Sequence, residues 1–270
     1  MSKPSSQSIA KTYNDWGKGF DDLVSETPFL MNSYLLYDLC LSELTKGRRF
    51  KRVLDVGCGS GLQSVHLAPH ADEVVGIDLS KELIEVAKER CKAYDNVRFQ
   101  VANACQLPFA DGSFDFLISY GDVLSHIIDG YEEAVAEMAR VARPGAIITL
   151  ETDTKWNFGI FYHGGELLDA LRTPGKGHAT REWEGMRFKT FTYRELEALL
   201  NKNGLEIISC RGHNILSSLI PDRYLLEKGK RSLMGKLALS IGKLDLALSG
   251  VYPFRRFGFN FVITSRKKNS

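Results

Sequence analysis

Residues 52 to 61 read Arg-Val-Leu-Asp-Val-Gly-Cys-Gly-Ser-Gly, and no other stretch limits the fold as much. A short β-branched apolar run, interrupted by one acid, stops on Gly57, Gly59 and Gly61, which predicts a buried strand entering a tight turn. Leu62, Val65 and Leu67 then supply the apolar side of a helix ending near Pro69. Backbone N–H groups at the start of such a helix face whatever lies over the turn, so the segment predicts a site for a small ligand with an anionic group.

The spacing narrows the ligand. A dinucleotide turn needs G-x-G-x-x-G, with a pyrophosphate over the helix N-terminus. Here the third glycine falls one residue early and position 62 is Leu. Asp55 would also set a carboxylate close to the pyrophosphate, which Coulomb repulsion disfavours. An amino-acid head group suits the turn better: its carboxylate takes the helix N-terminus and its ammonium is drawn towards Asp55. The next apolar run, Glu73 to Asp78, ends in an acid 17 residues after Gly61. That is near the spacing of about 20 at which a carboxylate accepts from ribose hydroxyls, so Asp78 is the candidate ribose ligand. Ser80, directly before the helical pattern at Lys81 and followed by Glu82, is the better N-cap.

Val-Leu-Asp-Val-Gly-Cys-Gly-Ser-Gly followed by Val-Val-Gly-Ile-Asp-Leu-Ser resembles the class I S-adenosylmethionine-dependent methyltransferases. Ala102 to Asp115 is similar to that family's adenine loop and its approach to the fourth strand, especially in the group that methylates small molecules, quinones and sterols. The close resemblance covers residues 50 to 152. It implies a doubly wound α/β fold with a seven-stranded sheet, mostly parallel with an antiparallel last strand. It also implies S-adenosyl-L-methionine as cofactor and a small-molecule acceptor. The implied cofactor site comprises Asp55, Gly57, Cys58, Gly59, Gly61, Asp78, Leu79, Asn103, Ala104, Ser119 and Tyr120, with Tyr13 from an N-terminal lid. Asn103 stands where the family usually carries Asp; its amide carbonyl still accepts from an adenine amino group, without charge. Cys58, between two tight glycines, reads as small apolar volume and not as a nucleophile.

With 270 residues, 44% hydrophobic and 25% charged, the chain suits one α/β domain with decoration. No run approaches 18 apolar residues and Met1 to Ser8 is polar, so neither a spanning helix nor a signal peptide is expected, and the expected location is cytoplasmic. Five cysteines without C-x-x-C spacing predict no disulfide framework and no metal site. Residues 1 to 211 carry 24 Lys and Arg against 30 Asp and Glu, whereas 212 to 270 carry 11 against 3, so the C-terminal fifth is basic.

Residues 1 to 8 are expected to be disordered and 1 to 45 to form lid helices, with Tyr13, Trp16, Phe20 and Leu23 on one face. Trp16 reads equally as lid and as packing, and Phe20 more as packing. Residues 46 to 270 form the methyltransferase domain with two insertions. The first, 153 to 192, holds Trp156, Phe158, Phe161, Tyr162, His163, Trp183 and Phe188 and reads as an acceptor cap. Leu205 to Cys210 and Phe259 to Thr264 read as the last two strands, and Thr192 with Glu195 has capping-box spacing.

Methyl transfer needs alignment, plus a base only where the acceptor must lose a proton. His126, Tyr120, Asp122 and His163 are the candidate catalytic groups, although a lone histidine is as readily structural. In the second insertion, 212 to 255, Met234, Leu237, Ile241, Leu244 and Leu248 fall on one helical face with Lys230, Lys236 and Lys243 off it. Two fates follow. Residues 229 to 256 make peripheral contact with an anionic membrane, or the stripe packs on the sheet edge or on a second subunit as a homodimer. The second is favoured because Gly235 and Gly242 weaken a free helix. Two other function classes stand beside the methyltransferase: a non-catalytic S-adenosylmethionine-binding protein, and a dinucleotide oxidoreductase, which the glycine spacing disfavours. No N-P-P-Y-type tetrad or RNA-binding module is present, so no nucleic-acid partner is expected.

Overall fold

The computed structural model describes residues 11–15, 17–161, 164–177, 179–183, 186–225 and 232–269. The disorder expected for residues 1 to 8, and the roles considered for Trp16, Tyr162, His163 and Lys230, lie outside them. Seven strands form one sheet in the order β3-β2-β1-β4-β5-β9-β8. They are β1 (Phe50–Val56), β2 (Ala71–Asp78), β3 (Val97–Val101), β4 (Phe114–Ser119), β5 (Ala142–Asp153), β8 (Leu205–His213) and β9 (Asn260–Lys267). β6 (Ala179–Trp183) and β7 (Met186–Lys189) make a separate antiparallel hairpin. β1 to β5 pair in parallel, while β9 runs antiparallel to both β5 and β8.

The apolar runs explain the centre of the sheet. All six residues of β4 and the last four of β1 are buried, as parallel strands covered on both faces must be. Successive side chains enter opposite layers. Leu54, Val56, Leu117 and Ile148 join one core cluster, whereas Val53, Phe116 and Ile118 join the other with Leu36 and Leu41. The acid inside β4, Asp115, is satisfied by the N–H groups of Lys51 (2.8 Å) and Arg52 (2.9 Å), which ties the starts of β4 and β1 together.

The helices are α1 (Phe20–Glu26), α2 (Pro28–Thr45), α3 (Leu62–Leu67), α4 (Lys81–Arg90), α5 (Val123–His126), α6 (Tyr131–Val141), α7 (Gly164–Arg172), α8 (Tyr193–Lys202), α9 (Asp222–Leu225) and α10 (Leu233–Leu248). Among the described residues no helix is long and apolar enough to cross a membrane. Ser80 and Thr192 cap α4 and α8 as their spacing predicted, Ser80 Oγ accepting from Leu83 N at 3.1 Å and Thr192 with Glu195 closing the capping box. The N-terminal helical pattern is interrupted. α1 stops at Glu26, Thr27 is extended, and Pro28 opens α2 at its first position, where a missing N–H costs nothing.

The two insertions pack at separate places. The first is divided: Phe158 packs on Phe257 (4.6 Å between centroids), while Phe188 on β7 meets the His126 ring edge-to-face at 6.2 Å. The second docks by its small residues together with Met234, Ile241 and Leu246, which are partly buried against the core clusters. α10 buries Gly235, Ala238, Gly242 and Asp245, and leaves Leu237 46% and Leu244 52% exposed. A Cβ on Gly242 would lie 2.1 Å from Asn32 Oδ1, so the glycine lets α10 approach α2 closely. Asp245 accepts from Leu216 N (2.7 Å), Ser217 N (3.0 Å) and Ser217 Oγ (2.7 Å), tying the preceding loop to the helix. The glycines that would weaken a free helix are what seat this one.

Gly242→Leu therefore costs about 1–3 kcal/mol of stability by overpacking, and Leu244→Ser stays within about 0.5 kcal/mol as a surface change. Urea midpoints compare the two. Equal losses would mean that the helix packs by its leucines after all.

Candidate active site

The glycine turn is held from below. Gly57 N and Cys58 N donate to Ile77 O at 2.8 and 2.9 Å, Gly59 N to Asp78 Oδ2 at 3.0 Å, and Gly61 N to Cys58 O at 2.9 Å. Four of the turn's N–H groups are thus spent within the protein and do not wait for an anion. Gly57 has φ +73°, and a Cβ there would stand 2.2 Å from Val123 Cγ2, so only glycine fits between β1 and α5. Gly61 serves packing: its Cβ position lies 3.1 Å from Ala87 Cβ, against α4.

Above the turn lies a cleft of about 980 Å³, including its solvent-open part. Its walls are Gly57, Cys58, Gly59, Ser60 and Gln63 from the turn and α3, Ile77, Asp78 and Leu79 from the end of β2, and Ala102 to Cys105 after β3. Tyr120, Gly121, Val123, His126 and Ile127 close another side, and Tyr13, Phe20 and Tyr34 arrive from the N-terminal segment. That segment is strapped down. Ser60 Oγ donates to Asp21 Oδ1 (2.8 Å), Arg90 pairs with Asp21, and Ser80 Oγ donates to Asn14 Oδ1 (2.6 Å).

Of the expected cofactor residues, Gly57, Cys58, Gly59, Asp78, Leu79, Asn103, Ala104, Tyr120 and Tyr13 share this cleft. Asp55, Gly61 and Ser119 are not among its walls. Asp55 is 2% exposed and accepts from Ser64 Oγ at 2.7 Å; burial pushes its carboxyl up to about 7. It joins β1 to α3. Ser119 is buried in β4. Asn103 lines the cleft, but its side-chain oxygen already accepts from Cys105 N at 2.9 Å, turning its own loop. Asp78 has two duties: besides facing the cleft, Oδ1 accepts from Ser80 N (2.8 Å) and Oδ2 from Gly59 N, and burial raises its pKa.

The catalytic candidates separate. The Tyr120 ring lines the cleft, but its hydroxyl pairs with Thr149 Oγ1 at 3.0 Å and the ring stacks on Tyr37 at 4.8 Å. Burial raises its pKa well above the usual phenol value, so it is not a proton acceptor. Asp122 is not a wall residue. It begins α5 with φ +58° and accepts from Asn260 Nδ2 at 2.7 Å, burial pushing its carboxyl up to about 7.

His126 is a wall residue. Its Nε2 lies 3.1 Å from the Tyr13 hydroxyl, Tyr13 and Phe188 meet its ring edge-on, and Nδ1 has no hydrogen-bond partner among the described residues. Burial lowers its pKa to about 4, so it is neutral near pH 7. Burial raises the Tyr13 phenol, which stays protonated.

Sequence reasoning missed Tyr34, Gln63, Cys105, Val123 and Ile127, and assigned Phe20 to packing. It also missed Glu151, which is fully buried and accepts from Gly121 N (2.9 Å), Asp122 N (3.2 Å) and the Tyr37 hydroxyl. Burial, with Asp122 nearby, raises its pKa well above the usual range. It holds the turn that begins α5 and so positions His126. An acid closing the apolar run Ile-Ile-Thr-Leu, at the carboxyl end of a sheet strand, was the available signal.

The family model described as a methyltransferase domain matches residues 53–145, the span from β1 into β5 that supplies most of these walls. An uncharacterized methyltransferase of Bacillus subtilis, YcgJ, is 33% identical over 178 residues, covering 61% of this chain and 70% of that protein. The chain belongs to the class I S-adenosylmethionine-dependent methyltransferases. The demethylmenaquinone methyltransferase of Bacillus licheniformis is 36% identical over 110 residues, 39% of this chain and only 47% of that protein, so this likeness stops short of the whole enzyme. A crystal structure of the Burkholderia thailandensis 1,6-didemethyltoxoflavin-N1-methyltransferase, with 1,6-didemethyltoxoflavin and S-adenosylhomocysteine bound, has a TM-score of 0.60 at 17% identity. The match covers 100% of this chain and 92% of that one. At that identity it shows the shared fold.

The residues present in this methyltransferase fit S-adenosylmethionine. Gly59 and Gly121, both with positive φ, line the cleft, and a Cβ on either would meet no atom within 4 Å, so the backbone leaves open room where side chains would intrude. A carboxylate at the end of β2 and an apolar wall of Leu79, Ala104 and Ile127 provide what a ribose diol and a flat base require. At a hundredfold excess over its Kd the cofactor adds about 2.7 kcal/mol, raising the melting midpoint by roughly 5 to 10 °C. NAD should leave the melt unmoved, and the reverse pattern would overturn the fit.

Proposed function

We propose that this methyltransferase acts on a small flat or apolar acceptor whose oxygen, nitrogen or activated carbon gives up a proton, and that His126 takes that proton. The observation that carries this reading is a neutral imidazole in the cleft wall with one nitrogen engaged by Tyr13 and the other buried and without a partner among the described residues. With Nε2–H donating to the Tyr13 oxygen, Nδ1 holds the lone pair that accepts. Glu151 and the Gly121–Asp122 turn position the ring.

S-adenosylmethionine, when bound, supplies an electrophilic methyl on a sulfonium. Asp78 accepts from the ribose hydroxyls, and Leu79, Asn103 and Ala104 form the adenine end. Gly57, Cys58, Gly59 and Tyr120 line the methionine end. Tyr13, Phe20 and Tyr34 exclude water and present ring faces that favour a cation. The aromatic wall supports a flat acceptor. So do the comparisons, in which one relative is named for demethylmenaquinone and one neighbour holds 1,6-didemethyltoxoflavin.

The test is a panel of phenol, quinol and ring-nitrogen acceptors with labelled cofactor. Transfer to at least one of them is expected. A chain that binds S-adenosylmethionine but methylates nothing in the panel would favour the non-catalytic alternative.

A further inference from the structure

α10 turns its glycine side to the protein and an apolar row to solvent. Leu233 is 83% exposed, and Leu237 and Leu244 are about half exposed as described above. At about 100° per residue these three lie within roughly 40° of one another, opposite the buried Gly235, Ala238 and Gly242. Past the turn that ends the helix, Val251 and Tyr252 are also exposed, at 51% and 70%. Single exposed leucines are ordinary on a protein surface, but three on the outer pole of one helix are not.

Among the described residues of α10 and the corner after it, the exposed charges are all basic. Lys236 and Lys243, seven residues apart and both exposed, run along one flank of the row, and Arg255 is exposed just beyond Tyr252. The helix's one acid, Asp245, is buried and bonded to the 216–217 backbone. A second copy of the chain would set two basic faces against each other, which like-charge repulsion opposes. An anionic lipid surface complements both features: leucines enter the acyl boundary, lysines stay among the headgroups, and an amphipathic tyrosine sits at the interface.

We propose that the outer face of α10 with the Val251–Tyr252 corner docks the enzyme on anionic phospholipid bilayers. The binding is peripheral, through one helix lying in the interface plane. α2, against which α10 packs through Asn32, also carries Tyr34 into the cleft wall, so the docked face and the cleft share one rigid support.

Flotation of the full-length protein with vesicles of phosphatidylcholine alone, and of an equal mixture with phosphatidylglycerol, tests this. At low salt the protein should float with the mixed vesicles only, and added salt should release it. Lys236→Gln and Lys243→Gln should each lower the partition constant about fivefold. Leu237→Glu together with Leu244→Glu should lower it at least about tenfold. The leucine positions are exposed, and a retained melt shift with S-adenosylmethionine shows that the variants are folded. Equal flotation with neutral vesicles, none with either kind, or undiminished flotation of the double leucine variant would each overturn the proposal. A dimer in sedimentation that the leucine variant dissociates, without flotation, would overturn it in favour of a second copy.

Discussion

Asp78→Ala is expected to weaken S-adenosylmethionine binding by roughly a hundredfold or more in calorimetry. Each hydrogen bond to a charged group is worth about 1.5–3 kcal/mol, and in its proposed role the residue is the acceptor for both ribose hydroxyls. The structure adds a cost that the spacing argument did not contain. Asp78 also accepts from Gly59 N and Ser80 N, so the alanine variant loosens the glycine turn and the start of α4 and should melt earlier. Asp78→Asn separates the two roles, because its amide oxygen keeps one backbone bond while the charge is gone. That variant should recover part of the stability and still bind at least about tenfold more weakly. Unchanged affinity in Asp78→Ala would make the residue structural only.

The other large effect is on turnover. His126→Ala should lower kcat by about 10² to 10⁴, the range for loss of a general base, with cofactor affinity nearly unchanged. The pH profile distinguishes His126 from its neighbour. A base works in its deprotonated form, present above its pKa, so His126 places the acid limb of kcat/KM near pH 4. Asp122 as the base would place it near pH 7. His126 and His213, both lowered to about 4 from 6.5, take stability away as pH falls through that window, because the unfolded chain binds protons first. Asp55 and Asp122, raised to about 7 from 3.8, take it away as pH rises through theirs, because the folded chain holds protons longer. The two pairs offset over much of the range.

Asp55 and Asp78 show where local reading succeeds and where it stops. Each closes an apolar run near the glycine turn, and from spacing alone each looked like a ligand group. Asp78 is in the cleft wall, while Asp55 is closed beneath α3 by Ser64, nine residues away in a helix whose seating on the sheet is a tertiary fact. The three glycines divide in the same way. Their positive φ values follow from the tight turn that the spacing predicted, but Val123 behind Gly57 and Ala87 behind Gly61 come from distant segments.

The sequence by itself determined the strand-turn-helix core and the helix caps, because each depends on side-chain periodicity or on bonds between residues a few positions apart. The tertiary structure decided which acids face the cleft and which histidine nitrogen is left unpartnered. It also brought Tyr13, Phe20 and Tyr34 over the cofactor turn and chose the buried side of α10. There the hydrophobic stripe is split: Met234 and Ile241 pack inward and Leu237 and Leu244 stay exposed, because the Asn32 side chain lies against the helix backbone where a Cβ on residue 242 would stand 2.1 Å away.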